Sequence, residues 1–111
     1  MLPLIDSASR ELLLANGNQQ EEQDHRPVIK LFNPTGGQTW LISEMAADGD
    51  TLFGLADLGF GQPEMGYIRL SELLDVSATL PIGLERDLGF RANKTLSEYA
   101  RDARIMGRIV A

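Results

Sequence analysis

Four carboxylates of the chain could together hold a divalent cation. Glu44 and Asp57 lie near the ends of two predicted strands, and Glu85 and Asp87 are separated by one residue in another stretch that is predicted to be extended. Converging carboxylate oxygens bind Mg²⁺ or Mn²⁺, and such a centre can activate water for phosphodiester cleavage. The alternative interpretation is that these side chains form local hydrogen bonds and weak surface ion pairs. The sequence leaves both open, because a shift of one residue in strand register would move Asp57 to the opposite face.

The middle of the chain is strongly acidic. Residues 31–85 contain eight Asp and Glu residues and a single base, Arg69, and the net charge of the whole chain is -6. An acidic surface repels the phosphate backbone of nucleic acids and attracts basic protein surfaces. We therefore expect a protein partner with a basic surface and no direct binding of nucleic acid. The residues predicted to make this contact are Trp40, as an apolar anchor, with Glu44, Asp48, Asp50, Asp57 and Glu64.

The C-terminal part of the chain has the opposite charge. Residues 86–111 contain six bases and three acids. Arg101, Arg104 and Arg108 recur at a spacing that places them one above the next on a predicted helix. One interpretation is that these bases offset the helix dipole and remain in water. The other is a contact with phosphate or with an acidic partner, including a second copy of the chain in a homodimer.

The remaining residue types exclude several kinds of chemistry. The chain has no cysteine, so disulfides, thiolate metal ligands and thiol nucleophiles are absent. The single histidine, His25, lies in a polar segment at residues 18–26 and is expected to be solvated. No apolar run approaches the length of a membrane span, and the N-terminus lacks the basic segment of a signal peptide. We expect a cytoplasmic protein without membrane contact.

Residues 53–70, FGLADLGFGQPEMGYIRL, contain glycines that partly match a nucleotide-binding loop. Gly59 and Gly61 fit the first two positions of G-x-G-x-x-G, but Glu64 occupies the third. The residues that follow predict a strand, so no helix N-terminus is available there to hold a phosphate. We interpret these glycines as positions where the chain turns.

Turn chemistry and hydrophobic periodicity predict the elements that position these residues. The short turns between the central strands require antiparallel pairing, because a parallel return needs a long crossover. The predicted fold is a single α+β domain over residues 1–111, an antiparallel meander sheet of four to five strands with N-terminal and C-terminal helices. The predicted elements are a helix from Asp6 or Ser7 to Asn16–Gly17, strands at 27–34, 38–46, 51–58 and 65–70, a short helix at 71–76, an extended segment at 84–90, and a final helix that begins with a Thr95 and Glu98 capping box.

Several segments carry a resemblance to a known family. In order, they are LLANG, VIKLFNP, TWLISE, FGLADLGFGQPEMGYIRLSEL, LERDLGF and LSEYAR, which together cover most of the chain. They are similar to the small bacterial family catalogued as domain of unknown function number 2958. The chain departs from the family pattern after Pro81, where residues 82–84 precede the Glu-Arg-Asp triplet.

The resemblance implies a protein of plasmids, prophages and other mobile elements, and the family has no settled activity. Some relatives carry the label of single-stranded DNA endonuclease. Our leading hypothesis is a non-catalytic acidic binding protein without a cofactor, an inhibitor of a nuclease or of a nucleic-acid-binding host-defence protein. The alternative is a metal-dependent single-stranded DNA endonuclease that uses Mg²⁺ or Mn²⁺.

Overall fold

The computed structural model describes residues 3–111. In this range the chain forms helices at both ends of an antiparallel sheet, and the predicted α+β fold is confirmed. The elements, in chain order, are α1 (Ser7–Gly17), β1 (Ile29–Phe32), β2 (Thr39–Met45), β3 (Thr51–Asp57), β4 (Glu64–Arg69), α2 (Leu70–Thr79), β5 (Glu85–Arg86) and α3 (Leu96–Met106).

The five strands form one sheet in the order β4-β3-β2-β1-β5. β1 to β4 follow one another as a meander, because the turns between them are too short for a crossover. β5 returns to the other side of β1, where Leu31 lies opposite Arg86 and Phe32 lies opposite Glu85. β4 and β5 are therefore the two edges of the sheet.

The helices cover the two faces of the sheet. On one face, Leu13 of α1 and Leu73 of α2 pack in a buried cluster with Trp40. On the other face, Tyr99 of α3 packs in a second cluster with Leu41. We call these the α1/α2 face and the α3 face, and they set the two directions in which strand side chains point.

The C-terminal end of α1 rests directly on β2. A β-bulge at Ser43 interrupts the pairing of β2 with β3, and the side-chain amide of Asn16 donates to the Ser43 carbonyl oxygen at 2.9 Å. Gly17 lies so close that a Cβ atom there would be 2.1 Å from the Met45 carbonyl oxygen. Only glycine fits at this position, because real Cβ atoms do not approach an oxygen so closely.

The loop between β3 and β4 turns at its glycines, as predicted. Gly59 has φ of 88° and Gly61 has φ of 79°, in the left-handed region that favours glycine. The chain then enters strand β4 instead of a helix. The interpretation as turn positions is confirmed for Gly59 and Gly61, and it is wrong for Gly66, which pairs with Gly54 in an unbroken ladder of β3 and β4.

Two elements end three or more residues away from the predicted position, whereas the other bounds differ by two residues or fewer. α2 extends to Thr79, three residues beyond the predicted end. β5 ends at Arg86, because the carboxylate of Asp87 accepts the backbone N–H of Gly89 at 2.9 Å and turns the chain. The prediction of an extended segment over residues 84–90 is therefore wrong beyond Arg86.

Candidate functional site

Asp48 organises the turn between β2 and β3. Its carboxylate accepts the backbone N–H groups of Asp50 and Thr51, both at 2.8 Å, and the Thr51 hydroxyl at 2.7 Å. These hydrogen bonds, first among them the one from the Thr51 backbone, lower the pKa of Asp48 to about 2. The side chain is exposed, but its acceptor positions are largely occupied within its own turn.

Asp50 caps the N-terminus of α2. Its carboxylate accepts the backbone N–H of Ser71 at 2.8 Å, the Ser71 hydroxyl at 3.0 Å and Nε of Arg69 at 3.2 Å. The backbone hydrogen bond from Ser71 is the main cause of the lowered pKa of Asp50, and a negative charge at a helix N-terminus is favourable. Arg69, the single base of residues 31–85, is therefore paired with Asp50.

Two of the predicted contact residues lie inside the protein. Asp57 is 3% exposed, and its carboxylate accepts the N–H of Gly59 at 2.9 Å and of Ile109 at 3.0 Å. Trp40 is 4% exposed and packs in the core of the α1/α2 face. The placement of Asp57 and Trp40 on a contact surface is thereby corrected, since neither side chain reaches it.

The structure does not bring the four carboxylates of the predicted metal site together. Glu85 and Asp57 lie in one row across the sheet but three strands apart, about 14 Å at a strand spacing of about 4.8 Å. Glu44 pairs with the residue four positions before Asp57, about 13 Å away along the strand. Within residues 3–111, no three His, Cys, Asp or Glu side chains are arranged to hold a metal ion. The grouping of Glu44, Asp57, Glu85 and Asp87 is therefore corrected.

Glu44 lies near His25, which the sequence interpretation placed in solvent. Burial raises the pKa of Glu44, Glu22 adds to this increase, and His25 opposes it. The Nε2 atom of His25 is buried and has no hydrogen-bond partner within residues 3–111, so the prediction of a solvated histidine is wrong. The polar composition of the segment around His25 predicted exposure to solvent. In the structure, the His25 carbonyl accepts the N–H of Leu96, and this hydrogen bond holds the segment against α3.

β4 and the loop before it expose large apolar side chains beside an acid. Phe60 is 83% exposed, Tyr67 is 79% exposed and Met65 is 42% exposed. The ring of Tyr67 meets the ring of Phe53 edge-on, with centroids 5.3 Å apart. Glu64 is also exposed, and it has no ion-pair partner in the described part of the chain. We call Phe60, Glu64, Met65 and Tyr67 the β4 surface.

A groove separates the β4 surface from α3. It is lined by residues 61–65 on one side and by Ala100 and Arg104 on the other. Arg101, Arg104 and Arg108 are all exposed, and only Arg101 approaches an acid among residues 3–111, with Nε 4.0 Å from the Asp102 carboxylate. Of the three, only Arg104 lines the groove and makes its α3 wall basic. Arg108 lies beyond the end of α3 at Met106, so the prediction that all three bases stack on one helix is wrong for Arg108.

On the α1/α2 face, the helix that follows β4 carries exposed acids, and we call Glu64 together with Glu72 and Asp75 of this helix the acidic flank. α2 continues directly from β4 and packs on the α1/α2 face through Leu73. Its two acids, Glu72 and Asp75, are exposed, and the chain contains no base between Arg69 and Arg86. Glu72 and Asp75 were not among the predicted contact residues, because no local signal in the sequence distinguishes them from other exposed acids of a helix.

The comparisons with known proteins point to a family without an assigned activity. Neither the curated proteins nor the solved structures contain a match to this chain. None of the helices between residues 3 and 111 combines the length and the apolar character that a bilayer crossing demands. A family model matches residues 4–110, nearly the whole chain, and the resemblance noted in the sequence is confirmed. The chain belongs to the family described as protein of unknown function (DUF2958).

Proposed function

We propose that this chain is a non-catalytic binding protein that recognises a second protein through a basic surface of that partner. A nuclease or another nucleic-acid-binding protein is the expected partner class, because such proteins carry basic grooves for phosphate backbones. In this role the acidic flank of β4 occupies the basic groove in place of nucleic acid. The β4 surface, with α2 beside it, is the contact region.

The observation that carries the proposal is the exposure of large apolar side chains along β4. Phe60, Met65 and Tyr67 are exposed by 42–83%, and Phe, Met and Tyr are enriched in protein interfaces relative to other surfaces. An exposed aromatic side chain gains most when a partner removes it from water. These side chains therefore supply the contact area that the acidic residues alone would lack.

The charges near β4 support a basic partner. Residues 64–84 contain Glu64, Glu72 and Asp75, and their single base, Arg69, pairs with Asp50. The acids left without a partner in residues 3–111 therefore give this side of the molecule a negative potential. Such charges accelerate encounter with a basic protein, and added salt weakens the effect.

No observation favours the alternative of a metal-dependent single-stranded DNA endonuclease. That mechanism required Glu44, Asp57, Glu85 and Asp87 to converge, and they are dispersed over the sheet. Asp57 and Asp87 also accept hydrogen bonds from Gly59, Gly89 and Ile109. A carboxylate committed in this way is a poor candidate for a shared metal centre.

The test begins with affinity capture on the immobilised chain at low salt, followed by purification of the captured protein. We expect its Kd to rise at least tenfold between 50 and 300 mM NaCl, about the size that loss of a few screened charge contacts would give. The triple variant Glu64→Lys, Glu72→Lys, Asp75→Lys should also weaken binding at least tenfold, about 1.4 kcal/mol. A matched triple variant at exposed acids elsewhere, Glu11→Lys, Glu21→Lys, Glu85→Lys, should bind nearly as well as the unchanged chain.

Two results would contradict the proposal. One is binding that is insensitive both to salt and to the charge reversal on β4 and α2. The other is cleavage of labelled single-stranded DNA by the purified chain with Mg²⁺ or Mn²⁺, provided that the activity is lost on Glu44→Gln.

A further inference from the structure

β4 is an edge strand whose outward backbone groups can be assigned from its register. Leu70 donates its N–H to the carbonyl oxygen of Asp50 at 2.8 Å, immediately beyond the last pair of β3 and β4. In an antiparallel ladder, such hydrogen-bonded pairs alternate with pairs whose backbone groups point away. Glu64, Gly66 and Ile68 therefore bond to β3. The N–H and C=O groups of Met65 and Tyr67, and the N–H of Arg69, point away from the sheet.

No other described part of the chain covers this edge. Within residues 3–111, no hydrogen bond outside the sheet ladder involves a backbone group of Met65 or Tyr67, or the N–H of Arg69. The C=O of Arg69, the N-cap residue of α2, belongs to the first turn of that helix. β4 has six residues, about 20 Å of extended chain, which is long enough to pair with a segment of similar length. The groove between β4 and α3, with Ala100 and Arg104 on its far wall, lies at the Glu64–Met65 end of the strand.

The two sides of β4 carry opposite charges, and the side chains of a strand paired with β4 would contact both. Side chains of an added strand that lie opposite Met65 and Tyr67 would point to the α3 face, because paired residues share a face. There they meet apolar surface and the basic Arg104. Side chains opposite Glu64 would point to the α1/α2 face, where Glu64 meets them and where α2 carries exposed Glu72 and Asp75.

We propose, on the basis of the proposed function, that the partner contributes an extended segment that adds to β4 as a sixth strand. The segment alternates apolar side chains, directed to the α3 face, with Lys or Arg side chains, directed to the acidic flank. A slip of one residue would place those bases against Arg104, so the charges on the two flanks select the register. A second copy of β4 fits less well, because it would bring another Glu64 to the acidic flank instead of a base.

The first experiment measures binding of a synthetic probe to the full chain. The probe is an N-acetylated, C-amidated nonapeptide in which Lys and Val alternate, labelled with fluorescein. An isomer with the same composition, but with all Lys residues before all Val residues, is the control. We expect the alternating peptide to bind at least tenfold more tightly, and equal binding of the two isomers would overturn the inference.

N-methylation of the probe separates strand pairing from charge attraction. In a paired probe, the N–H groups of one residue type, Lys or Val, donate to β4, and the N–H groups of the other type point to solvent. N-methylation of the residue type that donates to β4 should weaken binding at least tenfold. N-methylation of the other residue type should change binding less than twofold. Equal effects at the two residue types would contradict addition to the edge.

Amide hydrogen exchange of the β4 backbone measures the same contact on the protein. In the free chain, the N–H groups of Met65, Tyr67 and Arg69 should exchange faster than those of Gly66 and Ile68. The probe should slow the first three at least tenfold. Slow exchange of those three without the probe, together with the mass of a dimer, would identify a second copy as the occupant and overturn the proposal.

Tyr67→Pro removes the central outward N–H without removing a ladder bond to β3, since proline is tolerated where the N–H faces solvent. Its control is Tyr67→Thr, which keeps the N–H and loses the ring. Proline should abolish probe binding and threonine should reduce it only a few fold. If Tyr67→Pro fails to fold, the N-methylated probes decide the same question.

The failure of this inference is distinguishable from failure of the proposed function. A basic protein that binds with strong salt dependence, but leaves the exchange of the Met65, Tyr67 and Arg69 amides unchanged, would retain the proposed function and exclude strand addition. The absence of any salt-dependent protein partner, together with no binding of the alternating probe at 1 mM, would overturn both.

Discussion

The two edges of the sheet end in different ways. β5 has two residues, and its Arg86 donates hydrogen bonds to Asp6 and Ser9 at the start of α1. Next to it, Lys30 of β1 forms an ion pair with Asp87 at 3.6 Å. β4 has six residues, and Tyr67 at its centre is 79% exposed. One edge is thus short and tied by polar contacts, and the other is longer and apolar.

This difference indicates which edge is available to a partner. Proteins commonly protect edge strands by keeping them short, by placing charges on them or by covering them. The β5 edge has the first two protections and is tied to α1 as well. The β4 edge has charged residues only at its two ends, Glu64 and Arg69, around Met65 and Tyr67. The fold thus protects the β5 edge, and the β4 edge is the one on which the proposed function depends.

The largest expected effect is on the free energy of unfolding, and it tests the core packing beneath the β5 edge. Leu31 is fully buried and lies between Arg86 and Trp40 in the strand register. Leu31→Ala should lower the free energy of unfolding by about 3 kcal/mol, because it removes buried methyl groups and leaves a cavity. Urea denaturation measures this change. A loss below about 1 kcal/mol would mean that the β1–β5 side of the core is loosely packed.

The second prediction concerns the response of the β5 edge to acid. Hydrogen bonds from Ser9 and from Arg86 hold the pKa of Asp6 well below its ordinary value. A carboxyl group with a lowered pKa stabilises the fold above its unfolded pKa, near 4, and this contribution is lost as the pH falls through the folded pKa. The free energy of unfolding should therefore decrease steadily below pH 4.

Asp6→Asn is the variant that isolates this contribution. It should be less stable than the unchanged chain at pH 7 and should lose less stability between pH 4 and pH 2. Denaturant titrations at a series of pH values measure both slopes. Parallel curves for the two proteins would show that the contact of Asp6 with Arg86 does not tie the edge.

The smallest expected effect on stability is at the β4 edge. Tyr67→Ala removes a side chain that is already 79% exposed, so the free energy of unfolding should change by less than about 0.5 kcal/mol. The same variant should weaken binding of the alternating Lys-Val probe several fold. A destabilisation as large as that of Leu31→Ala would indicate that Tyr67, through its contact with Phe53, is structural.

Much of the fold could be predicted from local sequence. Turn residues such as Gly59 and Gly61, the capping box of Thr95 and Glu98, and the alternation in the strands all favoured the observed elements. β5 could not be bounded in the same way, because its end depends on the Asp87 side chain turning the chain back. The pairing of β5 with β1 is a long-range contact, which local periodicity does not encode.

The candidate site was harder to predict because aspartates serve turns as well as partners. Asp48, Asp57 and Asp87 each accept the backbone N–H of the residue two positions later, the hydrogen bond of an Asx-turn. A following Gly59 or Gly89 is a sequence signal for this local role. The availability of Glu64 and Tyr67 depends on β4 being an edge, which the sheet order decides and the sequence alone did not state.

The close packing of the end of α1 against β2 limits which positions of the helix can be changed in a redesign. Asn16 occupies the carbonyl oxygen of the bulged Ser43, and Gly17 leaves no room for a side chain against Met45. A mutant library can vary exposed helix positions such as Glu11 freely, but it must keep these two positions fixed. A replacement helix would also have to keep Leu13 in the core and the contacts of Asp6 and Ser9 with Arg86.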